Sequence, residues 1–464
     1  MTMRNNKGLI NNLDWVLIFI YFLLVSLGLL TIYSVAFDEN NPSLFSFSEK
    51  YGKQMFFLLI ALFCGFLIFL IDSSIYRKFA IPIYIFVIGL LIVVLFMPPI
   101  NGARAWLGLG PFGIQPAEFA KIASSLLLAK YLSSMDLKNQ NGKSVFLAFS
   151  IILLPMALIL LQPDAGTFLV FTSFLFVFYR EGVSFDPFFL FFINKILRLN
   201  YKKTWIGTHF IPIAFLFALL ALLSLLSNNY EYQFSSFKIN GFSVLIFLIF
   251  LFCLFLLFVF YKWGNKRSRK NSLIAVLLAF VLSVGVVFTV HFSFNKLASH
   301  QKNRIELFLG IIDDPDGEDY NRNRAMAAVG SGGFSGKGYM NASVSSVKTN
   351  HVPESETDFI FCPFAEEWGF LGSSILIILF ISLIIRIIII AERQRSSFNR
   401  IYAYCVAMIL FYHFTINIGM NIGFAPIIGI PLPFFSYGGS SILSFTVMLF
   451  LLLKLDSQRM DVLS

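Results

Sequence analysis

About a dozen stretches of roughly twenty apolar residues follow one another along the chain, and no other feature constrains its fold as tightly. At ~1.5 Å rise per residue, a helix of that length crosses the ~30 Å hydrocarbon core of a bilayer. No water is available there to satisfy a backbone N–H or C=O, so each run must be a helix that bonds within itself. Spans are expected near 14–36, 54–71, 79–98, 116–134, 146–162, 165–180, 208–227, 241–261, 272–292, 366–391, 401–424 and 435–454. The fifth and sixth are short and share a break at Gln162-Pro163-Asp164-Ala165-Gly166, so they could also be one kinked span. A chain of 464 residues that is 58% hydrophobic and 13% charged, with a mean hydropathy of +0.79, is not a water-soluble domain. The expected fold class is an all-α polytopic membrane protein of about twelve helices.

A net charge of +10 would suit a nucleic-acid partner, but its placement argues otherwise. Lys and Arg fall in short clusters between the apolar runs, where they carry topology. With the N-terminus inside, the cytoplasmic connections hold Arg77 and Lys78, Lys138 and Lys143, Arg180 to Lys203, Lys262 to Lys270, and Arg393, Arg395 and Arg400. The opposite short connections hold little beyond Lys53, Arg104 and Lys238. Both termini are therefore expected in the cytoplasm, with one long extracytoplasmic loop over about 293–365. The first run is too long for a signal peptide, and Ser34-Val35-Ala36 is a poor cleavage site. Four scattered cysteines form no framework. The basic segment 181–207 reads either as an interfacial helix or as a plain connection.

Chemistry is confined to a few polar places. Arg104 follows Asn101-Gly102-Ala103 and is either a headgroup anchor or an anion contact. In Gln115-Pro116-Ala117-Glu118-Phe119-Ala120-Lys121, Pro116 suits a first helical turn, and Glu118 and Lys121 share a face three residues apart. Ionisable residues inside a span mark a pathway or a structural ion pair. Asp164 reads first as a helix cap and second as a substrate contact. In the long loop, Pro315 forces Asp314 out of helical geometry. An EF-hand fails there, because counting back from Gly317 puts Ile312 at the first ligand position. The glycine-rich run 330–338 with Lys337 reads as a turn or as a weak phosphate nest. The five histidines lack metal-ligand spacing.

Taken in order, these motifs resemble the SEDS family (shape, elongation, division and sporulation). They are Asn101-Gly102-Ala103-Arg104-Ala105-Trp106, Gln115-Pro116-x-Glu118-x-x-Lys121, Gln162-Pro163-Asp164-x-Gly166-Thr167 and Asp314-Pro315-x-Gly317-x-x-Tyr320, followed by the 330–338 glycines, Pro353-Glu354-x-x-Thr357-Asp358-Phe359 and Pro431-Leu432-Pro433-Phe434-Phe435-Ser436-Tyr437-Gly438-Gly439-Ser440-Ser441. The stretch Ile427 to Pro433 is similar to the rod-shape, elongation branch rather than the division branch, which usually carries Lys where Ile428 stands.

The resemblance implies a peptidoglycan glycosyltransferase. It would polymerise lipid II on the outer face of the cytoplasmic membrane, beside a class B penicillin-binding protein that crosslinks the product. It places the family's essential aspartate on Asp314 and its intramembrane pair on Glu118 and Lys121. It implies no certain cofactor and leaves room for a divalent cation, Mg or Mn. Members usually have about ten spans, so a helix pair within about 208–261 would be additional to a single domain over 1–464. Asp319 and Glu356 depart from the family pattern.

Under this reading Asp314 is the general base of an inverting transfer. Arg104, Lys121, Arg304 and Lys337 are candidates for the departing pyrophosphate, with Glu118 orienting Lys121. Asp164 and Ser436 complete the candidate substrate contacts. A lipid II flippase is the rival from another class, and a non-catalytic scaffold is a third reading.

Overall fold

The computed structural model describes residues 12–37, 49–99, 103–108, 113–136, 140–187, 207, 209–228, 231–234, 237–263, 269–296, 302, 306, 309, 311, 320–345 and 352–459. Two compact units emerge, one of Met1–Thr204 with Asn321–Ser464 and one of Trp205–Tyr320.

The first unit contains α1 (Trp15–Ala36), α2 (Lys50–Leu70), α3 (Ser73–Val94), α4 (Pro116–Ser134), α5 (Gly142–Leu161), α6 (Ala165–Phe171) and α7 (Phe174–Arg180). The second contains α8 (Phe210–Asn228), a hairpin of β1 (Glu231–Phe234) and β2 (Phe237–Asn240), α9 (Gly241–Trp263) and α10 (Arg269–Lys296). The first unit resumes at Asn321, one residue into α11 (Tyr320–Ser331), and continues with α12 (Phe361–Glu392), α13 (Ser397–Asn421) and α14 (Gly439–Ser457). Among the described residues this antiparallel hairpin and an isolated bridge between Leu107 and Ile114 depart from an all-helical chain. The hairpin closes the connection between α8 and α9, where the sequence reading placed only a loop.

Ten of the described helices are long and apolar enough to cross a membrane. They are α1, α2, α3, α5, α8, α9, α10, α12, α13 and α14. The two remaining expected spans look different for a local reason in each case. Helix α4 carries Glu118, Lys121 and Lys130, and 165–180 is divided into two seven-residue helices. The basic segment 188–206 lies outside the described residues.

Burial follows the logic of a lipid solvent. Phe63, Phe66, Leu70, Phe79, Ile85 and Phe86 on α2 and α3 are exposed, as apolar side chains facing acyl chains should be. The interior of the first unit is built on α4, α13 and α14, with α2 against α14, α12 against α13, and α4 against both α3 and α13. Small residues permit the close approaches. A Cβ on Gly28 of α1 would lie 2.7 Å from the Phe435 backbone, and one on Gly439 of α14 would lie 2.8 Å from Phe57.

One end of this unit is tied by arginines. Asp14 caps α1 by accepting from Leu17 N, and Arg386 Nε donates to it at 3.0 Å. Arg393 bridges Asp14 and Asp456, which joins the start of α1 to the ends of α12 and α14. Burial works to raise the Asp14 pKa, but the bonds from Arg386 and Leu17 N and the charge of Arg393 hold it below the ordinary value. Arg400 binds Glu181 at 2.7 Å and Arg180 binds Glu392 at 2.7 Å at the same end.

Candidate functional site

The opposite end of the first unit gathers the polar motifs. Pro116 opens α4 and Glu118 lies in its first turn, so the chain delivers Glu118 and Lys121 to the interior from one helical face. Both are enclosed, at 3% and 0% exposure. Lys121 Nζ donates to Glu118 Oε1 at 2.9 Å, lies 2.8 Å from His413 Nε2 and sits 4.6 Å from the centroid of Phe445. Ser444 Oγ donates to Glu118 Oε2 at 2.8 Å. A buried ion pair satisfied in this way is costly to break from one side, ~3–5 kcal/mol. His413 Nδ1 in turn lies 3.1 Å from Pro431 O.

Asp164 caps α6, accepting from Thr167 N at 2.9 Å and from Thr167 Oγ1 at 2.8 Å, and it also accepts from Gln115 Nε2 at 2.9 Å. This is the capping geometry read from the sequence, with Gln115 as an added partner. Next to it Gly166 faces the 427–431 loop, where a Cβ would sit 3.0 Å from Ile428 O.

That loop and the 352–360 segment are held side by side by α13. Asn417 Nδ2 donates to Ile430 O at 2.7 Å and to Asp358 O at 2.8 Å, and Asn421 Nδ2 donates to Asp358 O at 3.3 Å. Ser436 pins the same pair of segments, donating to Thr357 O at 2.6 Å and accepting from Leu432 N at 2.8 Å. Its hydroxyl is thus used within the protein.

The Asp358 carboxyl faces Gly429, Glu354 and Asp164. Burial, then the charge and hydrogen bond of Glu354 and the charge of Asp164, push its pKa up to about 7. Glu356, one of the two departures from the family pattern, is buried and ion-paired with Lys50 at the start of α2.

Lys337 belongs to a separate knot. Its ammonium donates to Glu366 Oε1 at 2.6 Å, Ser343 Oγ at 2.8 Å and Ser331 Oγ at 2.9 Å. Glu366 also accepts from the backbone N–H groups of Ser343, Val344 and Ser345. The glycine run offers no phosphate nest either, because Lys337 N and Gly338 N donate to Glu366 O and Glu367 O. Arg104 is exposed and donates to Leu95 O at 3.2 Å. Asp314 and Arg304 lie outside the described residues. Among the described residues no group of three His, Cys, Asp or Glu is disposed to hold a metal ion.

The structure therefore brings together Glu118, Lys121, Asp164 and Ser436, and keeps Lys337 in its own network with Glu366. Sequence reasoning named none of His413, Asn417, Asn421, Asp358 and Glu366 as a site residue, although Asp358 stood in one of its motifs. For the first three a signal was present: polar residues at i, i+4 and i+8 on an otherwise apolar span share one face.

Comparison with known proteins points to the family that the motifs resemble. The family model described as cell cycle protein, FTSW_RODA_SPOVE, matches residues 14–210 and 271–461. The peptidoglycan glycosyltransferase RodA of Treponema pallidum (strain Nichols) is 29% identical over 461 residues, 97% of this chain and 99% of that protein. The peptidoglycan glycosyltransferase MrdB of Escherichia coli (strain K12) is 29% identical over 375 residues, 80% of this chain and 76% of that protein. Among solved structures, a chain from a peptidoglycan synthase complex, studied for the coordination of polymerization and crosslinking, superposes with a TM-score of 0.62. It is 25% identical, over 96% of this chain and 98% of its own length.

Proposed function

Since the chain belongs to the FtsW, RodA and SpoVE family of cell cycle proteins, we propose that it is the glycosyltransferase that polymerises lipid II at the outer face of the cytoplasmic membrane during cell elongation. The observation that carries this reading is the gathering of Asp164, Asp358, the Glu118–Lys121 pair and the 427–441 loop at the end of the bundle opposite the Asp14–Arg386–Arg393 cluster. An arginine-rich end suits the cytoplasmic side, which leaves the polar end facing outward, where lipid II presents its sugars.

Asp314 is the general base. As the acceptor sugar hydroxyl attacks the anomeric carbon, its proton passes to the Asp314 carboxylate, the new C–O bond forms with inversion, and the undecaprenyl pyrophosphate departs. Arg104 and Arg304 are the cations we assign to that leaving group, because Lys121 and Lys337 are engaged by Glu118 and Glu366. Glu118 and Lys121 act by holding α4, α13 and α14 in register beneath the site. Gln115 and Asp164 line the same end, and the lipid tails lie against the exposed apolar helices. A class B penicillin-binding protein crosslinks the product, in keeping with the synthase complex whose chain this one resembles.

The test is purified protein with its transpeptidase and labelled lipid II in detergent. Asp314→Asn is expected to abolish polymer while expression and melting stay unchanged. Wild-type-like polymer from that variant would remove Asp314 from its role. Transfer of lipid II across liposomes without polymer would make the chain a transporter instead.

A further inference from the structure

We propose that His413, a residue outside every motif that carries the family resemblance, is a positioning residue for polymerisation. It fixes the 427–431 loop against the buried Glu118–Lys121 pair. This role rests on the polymerase reading above.

The tautomer follows from the partners. An ammonium has donors only, so His413 Nε2, 2.8 Å from Lys121 Nζ, must accept. A carbonyl oxygen accepts only, so Nδ1, 3.1 Å from Pro431 O, must carry the hydrogen. The ring is thus neutral, with Nδ1–H, and it bridges an ion pair on α4 to the backbone of the loop. Phe445 meets its face edge-on at 4.8 Å, and only 2% of the residue is exposed, so the ring has no room to choose another partner.

What this bridge holds is the floor of the candidate site. One turn further along α13, Asn417 takes the adjacent carbonyl, Ile430 O, and also Asp358 O. His413 and Asn417 therefore read consecutive carbonyls of one loop from the same helical face. Behind those carbonyls, Ile428 O and Gly429 O meet Gly166, two residues past Asp164, and Gly429 faces the Asp358 carboxyl. If the His413 bond is lost, Pro431 is released from Lys121, and the loop is free to shift relative to Asp164 and Asp358. A displacement of about 1 Å at such a place costs about a hundredfold in rate.

The experiment compares wild type with His413→Gln, His413→Asn and His413→Phe for polymerisation of labelled lipid II, with kcat and KM measured separately and melting followed in parallel. A glutamine amide carries one acceptor and one donor, spaced much as the two ring nitrogens are. It is expected to keep kcat within about threefold. Phenylalanine fills the space with neither group, and asparagine is too short to reach both partners. Both are expected to lower kcat by about a hundredfold with KM within about threefold.

Wild-type kcat in the Phe variant overturns the proposal. So does an equal loss in the Gln and Phe variants, since ring packing would then be the cause. Failure of both the Phe and Asn variants to fold also overturns it, because a purely structural role accounts for that. If wild type makes no polymer, it is the polymerase reading that falls, and the positioning role falls with it.

Discussion

At the scale of single residues, Asp358 shows what the surrounding carboxylates do. Unfolded, its carboxyl titrates near 3.8; in the fold, burial together with Glu354 and Asp164 raises it to about 7. Below about pH 4 both states hold the proton and the group costs nothing. As pH rises from about 4 to about 7 the unfolded chain releases its proton first, so unfolding gains, and above about 7 the penalty is constant. Wild-type melting temperature should therefore fall across that window more steeply than that of Asp358→Asn, in melts run in detergent from pH 4 to 8. Parallel curves for the two proteins would refute the account. The residues that sequence reasoning did find, Glu118, Lys121 and Asp164, announced themselves by polarity in an apolar setting. Distant partners did not: Lys121 also meets His413 from 292 positions away, and Lys337 meets Glu366 from 29.

At the scale of elements, the glycine-rich run explains the break in α12. At Gly369 the backbone leaves helical geometry, with φ at +63°. In an unbroken helix Phe370 N and Leu371 N would bond to Glu366 O and Glu367 O. Instead those two N–H groups donate to Gly333 O and Phe334 O, while the two carbonyls accept from Lys337 N and Gly338 N. Two helical bonds are thus exchanged for four to the loop, so these four backbone groups of α12 keep partners across the break. The strip lies too close for side chains. A Cβ on Gly336, where φ is +81°, would come within 2.1 Å of Glu367 O.

Gly336→Ala should accordingly cost about 2 kcal/mol or more and open the 332–345 strip to limited proteolysis. Gly89→Ala, in the middle of α3 with nothing within 4 Å of the added methyl, should be neutral or gain about 0.5–1 kcal/mol. Equal melting of the two variants would show that the strip is not held by close packing. From the sequence the run could be read as a turn. Its role as a splint for a helix 30 residues onward depends on contacts that no local pattern encodes.

At the scale of the whole molecule, sidedness is the feature with the widest consequences. We expect a cysteine at Asn341, exposed in the loop, to react with an impermeant maleimide in right-side-out vesicles. A cysteine at Lys143, exposed at the start of α5, should react only in inverted ones. The reverse pattern would place the candidate site in the cytoplasm and end the lipid II reading. The family match passes over 211–270, which spans most of α8, the hairpin and α9. We propose that α8 and α9 are an added pair of spans; adding two spans leaves the orientation of everything after them unchanged.

The sequence by itself determined that the chain is a helical membrane protein and roughly where its helices run, and it marked the charge asymmetry between connections and the polar motifs. Those properties follow from hydrophobic length and from the cost of charge in lipid, both of which are local. Only the tertiary structure decided that Glu366 neutralises Lys337, that Ser436 bonds within the protein, and that a histidine and two asparagines on α13 hold the candidate site's loops together. Hydrogen-bond partners in a bundle are set by which helices pack, and that is fixed by the sum of many weak apolar contacts rather than by any one stretch of chain.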